Sequence, residues 1–95
     1  EKTYTKWFDY DKITSSVVLR TRKKGDFLTI NKKMGHKSLQ DYFVNEKIPK
    51  EERDRIILLA EGSHVIWIPG LRISEYYKVQ KNTRRILQVC ILDKD

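Results

Sequence analysis

The sequence is poor in the residues that build disulfides, phosphate-binding loops and membrane spans. Among its 95 residues it has one cysteine, four glycines and two histidines. The lone Cys90 excludes an internal disulfide and a cysteine-based zinc cluster, which fits a reducing compartment. The dispersed glycines form no phosphate-cradling loop of the P-loop or dinucleotide-binding type. No apolar run approaches the ~20 residues that a membrane-spanning helix needs, so we expect no membrane partner.

The residue types used for catalysis or metal binding form no recognisable set. His64 opens an apolar run, which favours a structural role, whereas His36 lies in a basic segment. Solvent exposure is the simpler expectation for His36, with a phosphate or base contact as the alternative. Cys90 alternates with core-type residues, which is typical of a small buried hydrophobe. We therefore expect no catalytic residue, no metal site and no cofactor in this chain.

Length and composition predict one domain over residues 1–95. Hydrophobic residues make up 39% and aromatic residues 11%, which is enough for one compact core and too much for disorder. A domain of this size buries roughly 60–65% of its unfolded-chain surface, so it can fold alone with little stability to spare. Because the chain starts at Glu1 rather than at a methionine, we expect it to be a piece of a longer protein.

Alternating apolar residues and turn residues predict a β-rich α+β domain with one main helix at about 38–47. Ser38 and Asp41 fit a capping box at the helix start. Pro49 stops the helix because it forces Ile48 into an extended conformation. The predicted strands begin at Trp7-Phe8 and continue with Ser16–Arg22, Phe27–Ile30, Ile56–Ala60, His64–Ile68, Leu71–Ile73, Tyr76–Val79 and Arg84–Leu92.

Two of these strands carry specific expectations. In Ser16–Arg22, alternation places Leu19 on a buried face and both Arg20 and Arg22 on the opposite face. Arg84–Leu92 is apolar on both of its faces, which predicts a central strand that is covered on both sides.

The net charge of +7 is concentrated in one segment. Residues 20–37 hold seven Lys and Arg residues and a single acid, Asp26, whereas the flanking segments are nearly neutral. Such a basic stripe indicates a polyanionic partner, of which nucleic acid is the commonest. A turn at Lys23–Asp26 and a basic loop at Asn31–Lys37 would bring the cations onto one surface. The predicted nucleic-acid-binding residues are Arg20, Arg22, Lys23, Lys24, Lys32, Lys33, Lys37 and Arg72.

Alternatives stay open for several of these side chains. The basic residues can instead form a solvated face with structural ion pairs, such as Arg22 with Asp26. Arg72 follows a Pro-Gly turn and can either join the basic surface or bond the backbone. Tyr76 and Tyr77 can stack on unpaired bases if one of them faces outward, although packing in the core or at its rim is the simpler interpretation.

Four short motifs occur in order along the chain. They are Val18–Asp26 (VLRTRKKGD), Lys37–Phe43 (KSLQDYF), Lys47–Pro49 with Arg53, and Trp67–Ile73 (WIPGLRI). In order and spacing they resemble the C-terminal domain of the bacterial tRNA(Ile)-lysidine synthetases over about residues 17–92. Each motif alone is weak, but the four together are specific. The residues that coincide with motif positions of that family are Arg20, Arg22, Gly25, Asp26, Lys37, Lys47 and Arg72.

The resemblance implies a role within a larger enzyme. Those enzymes use ATP to activate the wobble cytidine of the isoleucine tRNA with a CAU anticodon, and lysine then attacks the base to give lysidine. The chemistry belongs to an N-terminal domain with a Ser-Gly-Gly-x-Asp-Ser phosphate loop, which this chain lacks. ATP and lysine would therefore be used outside this chain. The chain itself would be a noncatalytic domain that grips the tRNA body, especially the acceptor stem.

The resemblance also implies a fold and partners. It predicts a β-sandwich of unusual topology with a helix, similar to a domain of the phenylalanyl-tRNA synthetase β subunit. The expected partners are the isoleucine tRNA and the catalytic domain of the same polypeptide, in the cytoplasm. The alternative is an interaction module that docks on that catalytic domain or forms a homodimer, with an incidental basic surface.

Overall fold

The computed structural model describes residues 2–93. Within these residues the chain forms one α-helix, α1 (Leu39–Asn45), and eight strands. The strands are β1 (Lys2–Asp9), β2 (Val18–Arg20), β3 (Phe27–Thr29), β4 (His36–Ser38), β5 (Leu58–Glu61), β6 (His64–Ile68), β7 (Arg72–Ile73) and β8 (Ile86–Asp93). Short 3-10 helices cover Tyr10–Lys12, Lys50–Glu52 and Glu75–Tyr77. The predicted β-rich α+β class is confirmed.

The strands form two separate sheets. The main sheet has the order β2-β5-β6-β3-β4, with β7 paired to β6. Its pairs are antiparallel except for β3 with β6, which is parallel. Strands β1 and β8 form an antiparallel pair, here called the ribbon, in which Lys2 pairs with Asp93 and Asp9 with Ile86. The two ends of the chain therefore build one sheet, and the middle of the chain builds the other.

The main sheet is covered on both faces. On one face it packs against α1, in a cluster of Leu28, Leu39, Tyr42, Phe43, Leu58, Ala60, Val65 and Ile68. On the other face it packs against the ribbon, in a cluster of Phe8, Leu59, Ile66, Trp67 and Tyr77. An irregular register between β5 and β6 lets the consecutive Ile66 and Trp67 face the same side. The result is a two-sheet sandwich with a helix on its outer face.

Helix α1 begins and ends where local sequence signals place it. Ser38 is the N-cap, and its hydroxyl accepts a hydrogen bond from the backbone N–H of Asp41 at 3.0 Å. Lys47 takes a φ of +57°, a left-handed conformation that ends the helix ahead of Pro49. The helix predicted at 38–47 is confirmed, with its helical residues at 39–45. Neither α1 nor a 3-10 helix within residues 2–93 could span a lipid bilayer.

The edge strand β2 differs from its predicted role. Leu19, which alternation placed on a buried face, is 53% exposed. Strand β2 is three residues long and lies at the border of the main sheet beside β5. There Leu19 lines an open groove together with Leu71 and Leu92. Alternation identifies which residues share a face, but it does not show how far the covering layer extends over that face.

Strand β8 is not the doubly covered central strand that its apolar faces predicted. Within residues 2–93 it pairs with β1 alone, and its outer face is open. Ile86 is 55% exposed, and Cys90 is also exposed, so the prediction of a buried cysteine is wrong. Apolar residues on both faces of a strand therefore do not show that both faces are buried.

The strand predicted at Tyr76–Val79 is also wrong. Residues Glu75–Tyr77 form a 3-10 helix that brings the two tyrosine rings together, edge to face, with 5.0 Å between their centroids. In a strand, the adjacent rings would point to opposite faces. Tyr77 is buried and Tyr76 is half-buried, which agrees with the simpler interpretation of core and rim packing.

The turn between β2 and β3 is built around the buried carboxylate of Asp26. The side chain of Asp26 is 1% exposed and that of Arg20 is 13% exposed. Arg20 Nη1 and Nη2 donate to Oδ2 and Oδ1 of Asp26, each at 2.8 Å, and Nη2 also donates to the carbonyl of Gly62. The backbone N–H of Lys23 donates to Asp26 Oδ2, and that of Leu39 donates to the Asp26 carbonyl. The hydrogen bonds to Asp26 raise the pKa of Arg20.

His64 has the structural role that its position predicted. Its ring stacks on Phe27 with 4.5 Å between the centroids. Its Nε2 lies 3.0 Å from Thr29 Oγ1 and 3.3 Å from Ser74 Oγ. Burial, and secondarily the charge of the nearby His36, lowers the pKa of His64 from its ordinary value of 6.5. The folded protein therefore favours the neutral form of this imidazole.

We expect Asp26→Asn to lower the free energy of unfolding by about 3 kcal/mol, because it leaves a mostly buried guanidinium without its countercharge. The matched control is Asp54→Asn, which removes the exposed carboxylate partner of Arg22. An exposed ion pair is worth about 0–1 kcal/mol, so this control should lose little. Urea denaturation followed by circular dichroism measures both variants, and equal losses would contradict the structural role of Asp26.

We expect the free energy of unfolding to fall as the pH drops from about 7.5 to about 5.5. Because the pKa of His64 is lower in the folded state than its ordinary 6.5, the unfolded chain takes up the proton first and acid favours unfolding. Denaturation at several pH values measures this dependence. His64→Gln should remove most of it, and the control His36→Gln should keep most of it. A pH dependence that survives in His64→Gln would refute this cause.

Candidate nucleic-acid interface

An open cleft of 570 Å³ beside the β2–β3 turn collects part of the predicted basic set. The turn forms one wall of this cleft, and the start of β4 contributes another. We call this space the basic cleft. Its lining includes the side chains of Arg22, Lys23, Lys24, Phe27, His36 and Asp54.

The shape of the turn exposes two lysines to the basic cleft. Gly25 has a φ of +89°, a left-handed conformation that glycine adopts without a steric penalty. Asp26 fixes the other end of the turn through the backbone N–H of Lys23. Lys23 and Lys24 are exposed, and the ion pairs formed within residues 2–93 include neither of them. They are the uncompensated positive charge of the cleft.

Two hydrogen bonds orient the guanidinium of Arg22 and leave part of it available to a ligand. Its Nε donates to Asp54 Oδ1 at 2.7 Å, and its Nη1 donates to Gln40 Oε1 at 3.1 Å. Asp54 is largely exposed to solvent, so this ion pair is weak. The alternative pairing of Arg22 with Asp26 is wrong, because Arg20 occupies that carboxylate. A guanidinium oriented in this way can still offer N–H groups to a phosphate.

A row of stacked rings runs from the basic cleft across one face of the main sheet. It consists of His36, Phe27, His64 and Tyr76, and we call it the aromatic row. The successive centroids are 4.5, 4.5 and 5.5 Å apart, and the successive ring planes are inclined by 26° to 29°. The row bends at Phe27, because the rings of His36 and His64 are themselves 6.0 Å apart and inclined by 50°. Phe27 and His36 meet because the β3–β4 register places them on the same face. His36 is the exposed end of the row.

The other end of the aromatic row is anchored in the core. Tyr76 packs against Tyr77, whose hydroxyl donates to Glu61 Oε1 at 2.7 Å. Burial, and secondarily this hydrogen bond, raises the pKa of Tyr77. Burial alone would raise the pKa of Glu61, but the donors Tyr77, Ser15 and Thr14 outweigh it and lower that pKa. These bonds keep Glu61 ionised and fix the position of the row.

Sequence reasoning missed two residues of this surface. Lys12 places its Nζ 4.7 Å from the centroid of the Tyr76 ring, within the range of a cation–π contact. Phe27 was predicted as part of a strand, without its neighbour His36. The loop predicted at Asn31–Lys37 ends at Gly35 in the structure, and His36 belongs to β4, which pairs with β3. This pairing brings His36 next to Phe27.

Two predicted phosphate ligands are engaged within the fold. The guanidinium of Arg20 is bound to Asp26, as described above. Arg72 Nη2 donates to the backbone carbonyl of Ile30 at 2.6 Å, which is the backbone alternative left open for this residue. Neither arginine lines the basic cleft, and both serve to connect segments of the chain.

The other three predicted lysines do not line the basic cleft. Lys37 pairs with Leu28 in the β3–β4 hairpin, so its side chain lies on the α1 side of the main sheet, opposite His36. Lys32 and Lys33 are exposed in the loop between β3 and β4. The structure therefore gathers Arg22, Lys23 and Lys24 from the predicted set and leaves the rest elsewhere.

The geometry of the basic cleft suits a ligand that carries both negative charge and flat rings. Lysine and arginine side chains bind phosphate oxygens without reading sequence. Aromatic faces stack on bases, and every base offers such a face. Both kinds of group line the same cleft here, which makes it the candidate interface for a nucleic acid.

Comparison with known proteins identifies related sequences and a related structure. Residues 17–90 match the family described as the TilS substrate C-terminal domain. A tRNA(Ile)-lysidine synthase of Caldanaerobacter subterraneus subsp. tengcongensis is 45% identical over 86 residues, which are 90% of this chain and 18% of that protein. A tRNA(Ile)-lysidine synthase of Clostridium tetani is 46% identical over 88 residues, which are 93% of this chain and 19% of that protein. The chain thus spans about a fifth of the length of these curated relatives.

A solved structure, described as the crystal structure of the TILS C-terminal domain, has the same fold. The TM-score is 0.72 at 26% sequence identity, and the match covers 97% of this chain and 72% of the other. The resemblance seen in the four sequence motifs is therefore confirmed by sequence and by fold. Because the family match covers residues 17–90, this chain belongs to the TilS substrate C-terminal domain family.

Proposed function

We propose that this chain is the noncatalytic tRNA-binding domain of a tRNA(Ile)-lysidine synthase. The observation that carries the proposal is the pair of uncompensated lysines, Lys23 and Lys24, beside the exposed ring of His36 in the basic cleft. Family membership supports tRNA as the polyanion, since the relatives described above are tRNA(Ile)-lysidine synthases. Arg22, Lys23 and Lys24 contact phosphates, and the rings of the aromatic row lie beside them.

In this proposal the chemistry of the synthase takes place outside this chain. A catalytic domain of the same polypeptide, in the cytoplasm, uses ATP and lysine to modify the wobble cytidine of the isoleucine tRNA with a CAU anticodon. This domain holds the tRNA body, and we assign the acceptor stem as its contact. In an A-form helix the deep major groove hides the base edges, so backbone and shape contacts dominate the recognition.

The experiment that tests the proposal is a titration of the chain with this isoleucine tRNA and with an unrelated elongator tRNA at two salt concentrations. Three phosphate contacts give a slope of log K against log salt of about −2 to −3. The double substitution Lys23→Ala and Lys24→Ala should weaken the binding of both tRNAs by about tenfold and reduce the slope by about 1 to 2. Fluorescence anisotropy with labelled tRNA measures both quantities.

The matched control removes the same charge from a different place. Lys81→Ala and Arg84→Ala act at exposed positions that do not line the basic cleft. They should lower the affinity only slightly, through the smaller net charge. Equal effects of the two double variants would reject the basic cleft as the phosphate contact. Binding to the isoleucine tRNA alone would mean that this domain recognises tRNA sequence, which contradicts recognition through the phosphate backbone.

A second candidate function, docking on another protein surface, is favoured by an exposed apolar groove. Leu19, Ile57, Leu71 and Leu92 line an open groove of 470 Å³ and are each at least 43% exposed. An exposed apolar surface of this kind is typical of an interaction site. The groove would then dock on another part of the synthase or on a second copy of the chain. An absence of salt-dependent binding in the tRNA titration favours this function over the first.

A further inference from the structure

We propose that the basic cleft binds one unpaired nucleotide next to an RNA helix, with the base stacked on His36 and its phosphate between Lys23 and Lys24. This inference rests on the proposed function and adds to it a subsite for a single-stranded base. It follows from the juxtaposition of an exposed ring and two uncompensated lysines in the same cleft.

The ring of His36 has one face for a ligand. Its other face stacks on Phe27, with 4.5 Å between the centroids and 26° between the planes. His36 is exposed and lines the basic cleft. A base placed on the outer face would stack on His36 as Phe27 does on the other side. The stacked rings thus define both the position and the plane of the base.

The stacking platform is ordered before a ligand arrives. Phe27 contacts both His36 and His64, with 4.5 Å to each ring centroid, and the two imidazole centroids are 6.0 Å apart. His64 is fixed in turn by its polar contacts to Thr29 and Ser74. A ring held in this way loses little conformational freedom on binding, so more of the stacking energy becomes affinity.

The charges of the basic cleft fit a single phosphate. Its two carboxylates, Asp26 and Asp54, are paired with Arg20 and Arg22, so neither presents an unpaired charge to an incoming anion. The two lysines supply the net positive charge. The cleft volume of 570 Å³ lies within the range of about 300–1,000 Å³ typical of small-ligand sites.

The open ring favours an unpaired base over a paired one. Inside an RNA duplex each base is stacked between its neighbours and presents only its edges. An unpaired base offers its whole face to an aromatic side chain, with little dependence on which base it is. A helix that ends in an unpaired nucleotide can therefore place its backbone on the lysines and its last base on His36.

The test compares the binding of two RNAs to the 95-residue chain. One is a blunt duplex, and the other is the same duplex with a short unpaired extension on one strand. One stacked base should raise the affinity by about fivefold to 150-fold. His36→Ala should abolish this gain, measured within the variant as the ratio of its affinities for the two RNAs. His36→Tyr should restore it, because the tyrosine ring also stacks.

Two further variants distinguish the subsite from general binding. Trp7→Ala removes an exposed aromatic residue on the ribbon and should leave the gain from the extension intact. The Lys23→Ala and Lys24→Ala double variant should weaken the binding of both RNAs. An extension that adds no affinity, or a gain that survives His36→Ala, would overturn the subsite while phosphate binding stands. If neither RNA binds, the proposed function fails together with the subsite.

Discussion

The buried ion pair of Arg20 with Asp26 is the interaction on which the candidate interface depends. Arg20 also donates to the carbonyl of Gly62 in the β5–β6 hairpin, and the Asp26 carboxylate accepts from the backbone N–H of Lys23 in the turn. The backbone carbonyl of Asp26 accepts from Leu39, the first residue of α1. Three segments that are distant in sequence, namely β2 with its turn, the β5–β6 hairpin and the start of α1, therefore meet at Arg20 and Asp26. Removing a partner from such a pair leaves an uncompensated charge in a mostly buried site, which is why this interaction tolerates little change.

The basic residues of the predicted set fall into two groups, those that bond other parts of the protein and those that are exposed in the basic cleft. Arg20 and Arg72 donate to groups within the protein, and Lys23 and Lys24 project from a turn whose backbone is already fixed. Ordering the turn in advance reduces the entropy that a ligand has to remove when it binds. The anchored aromatic row contributes in the same way from the other wall of the cleft. A small domain with limited stability can thus present a defined binding surface.

Local sequence signals predicted the elements of this surface better than its contacts. The cap at Ser38, the turn at Lys23–Asp26 and the hairpin at Gly62 each depend on neighbouring residues, and all were identified. The partner of Asp26 depends on how β2 pairs with β5, which no local signal contains, so Arg22 was considered in place of Arg20. The exposure of β8 escaped prediction for a similar reason, because apolar alternation does not show whether a second layer covers a strand.

Within residues 2–93, the basic cleft holds only three cations, Arg22, Lys23 and Lys24, and this number limits the affinity of the proposed RNA binding. Three phosphate contacts alone give affinities near the nonspecific range of about 10⁻⁴–10⁻⁶ M, and these weaken further as salt increases. A contact this weak becomes effective when another part of the same chain already holds the RNA, because a tether raises the effective concentration to about the millimolar range. In the curated relatives the matching segment makes up about a fifth of the protein, and the other four-fifths lie outside it. The weak, preorganised and sequence-tolerant contact proposed for this domain would suit such a second binding site, since it adds to affinity and still allows the RNA to dissociate.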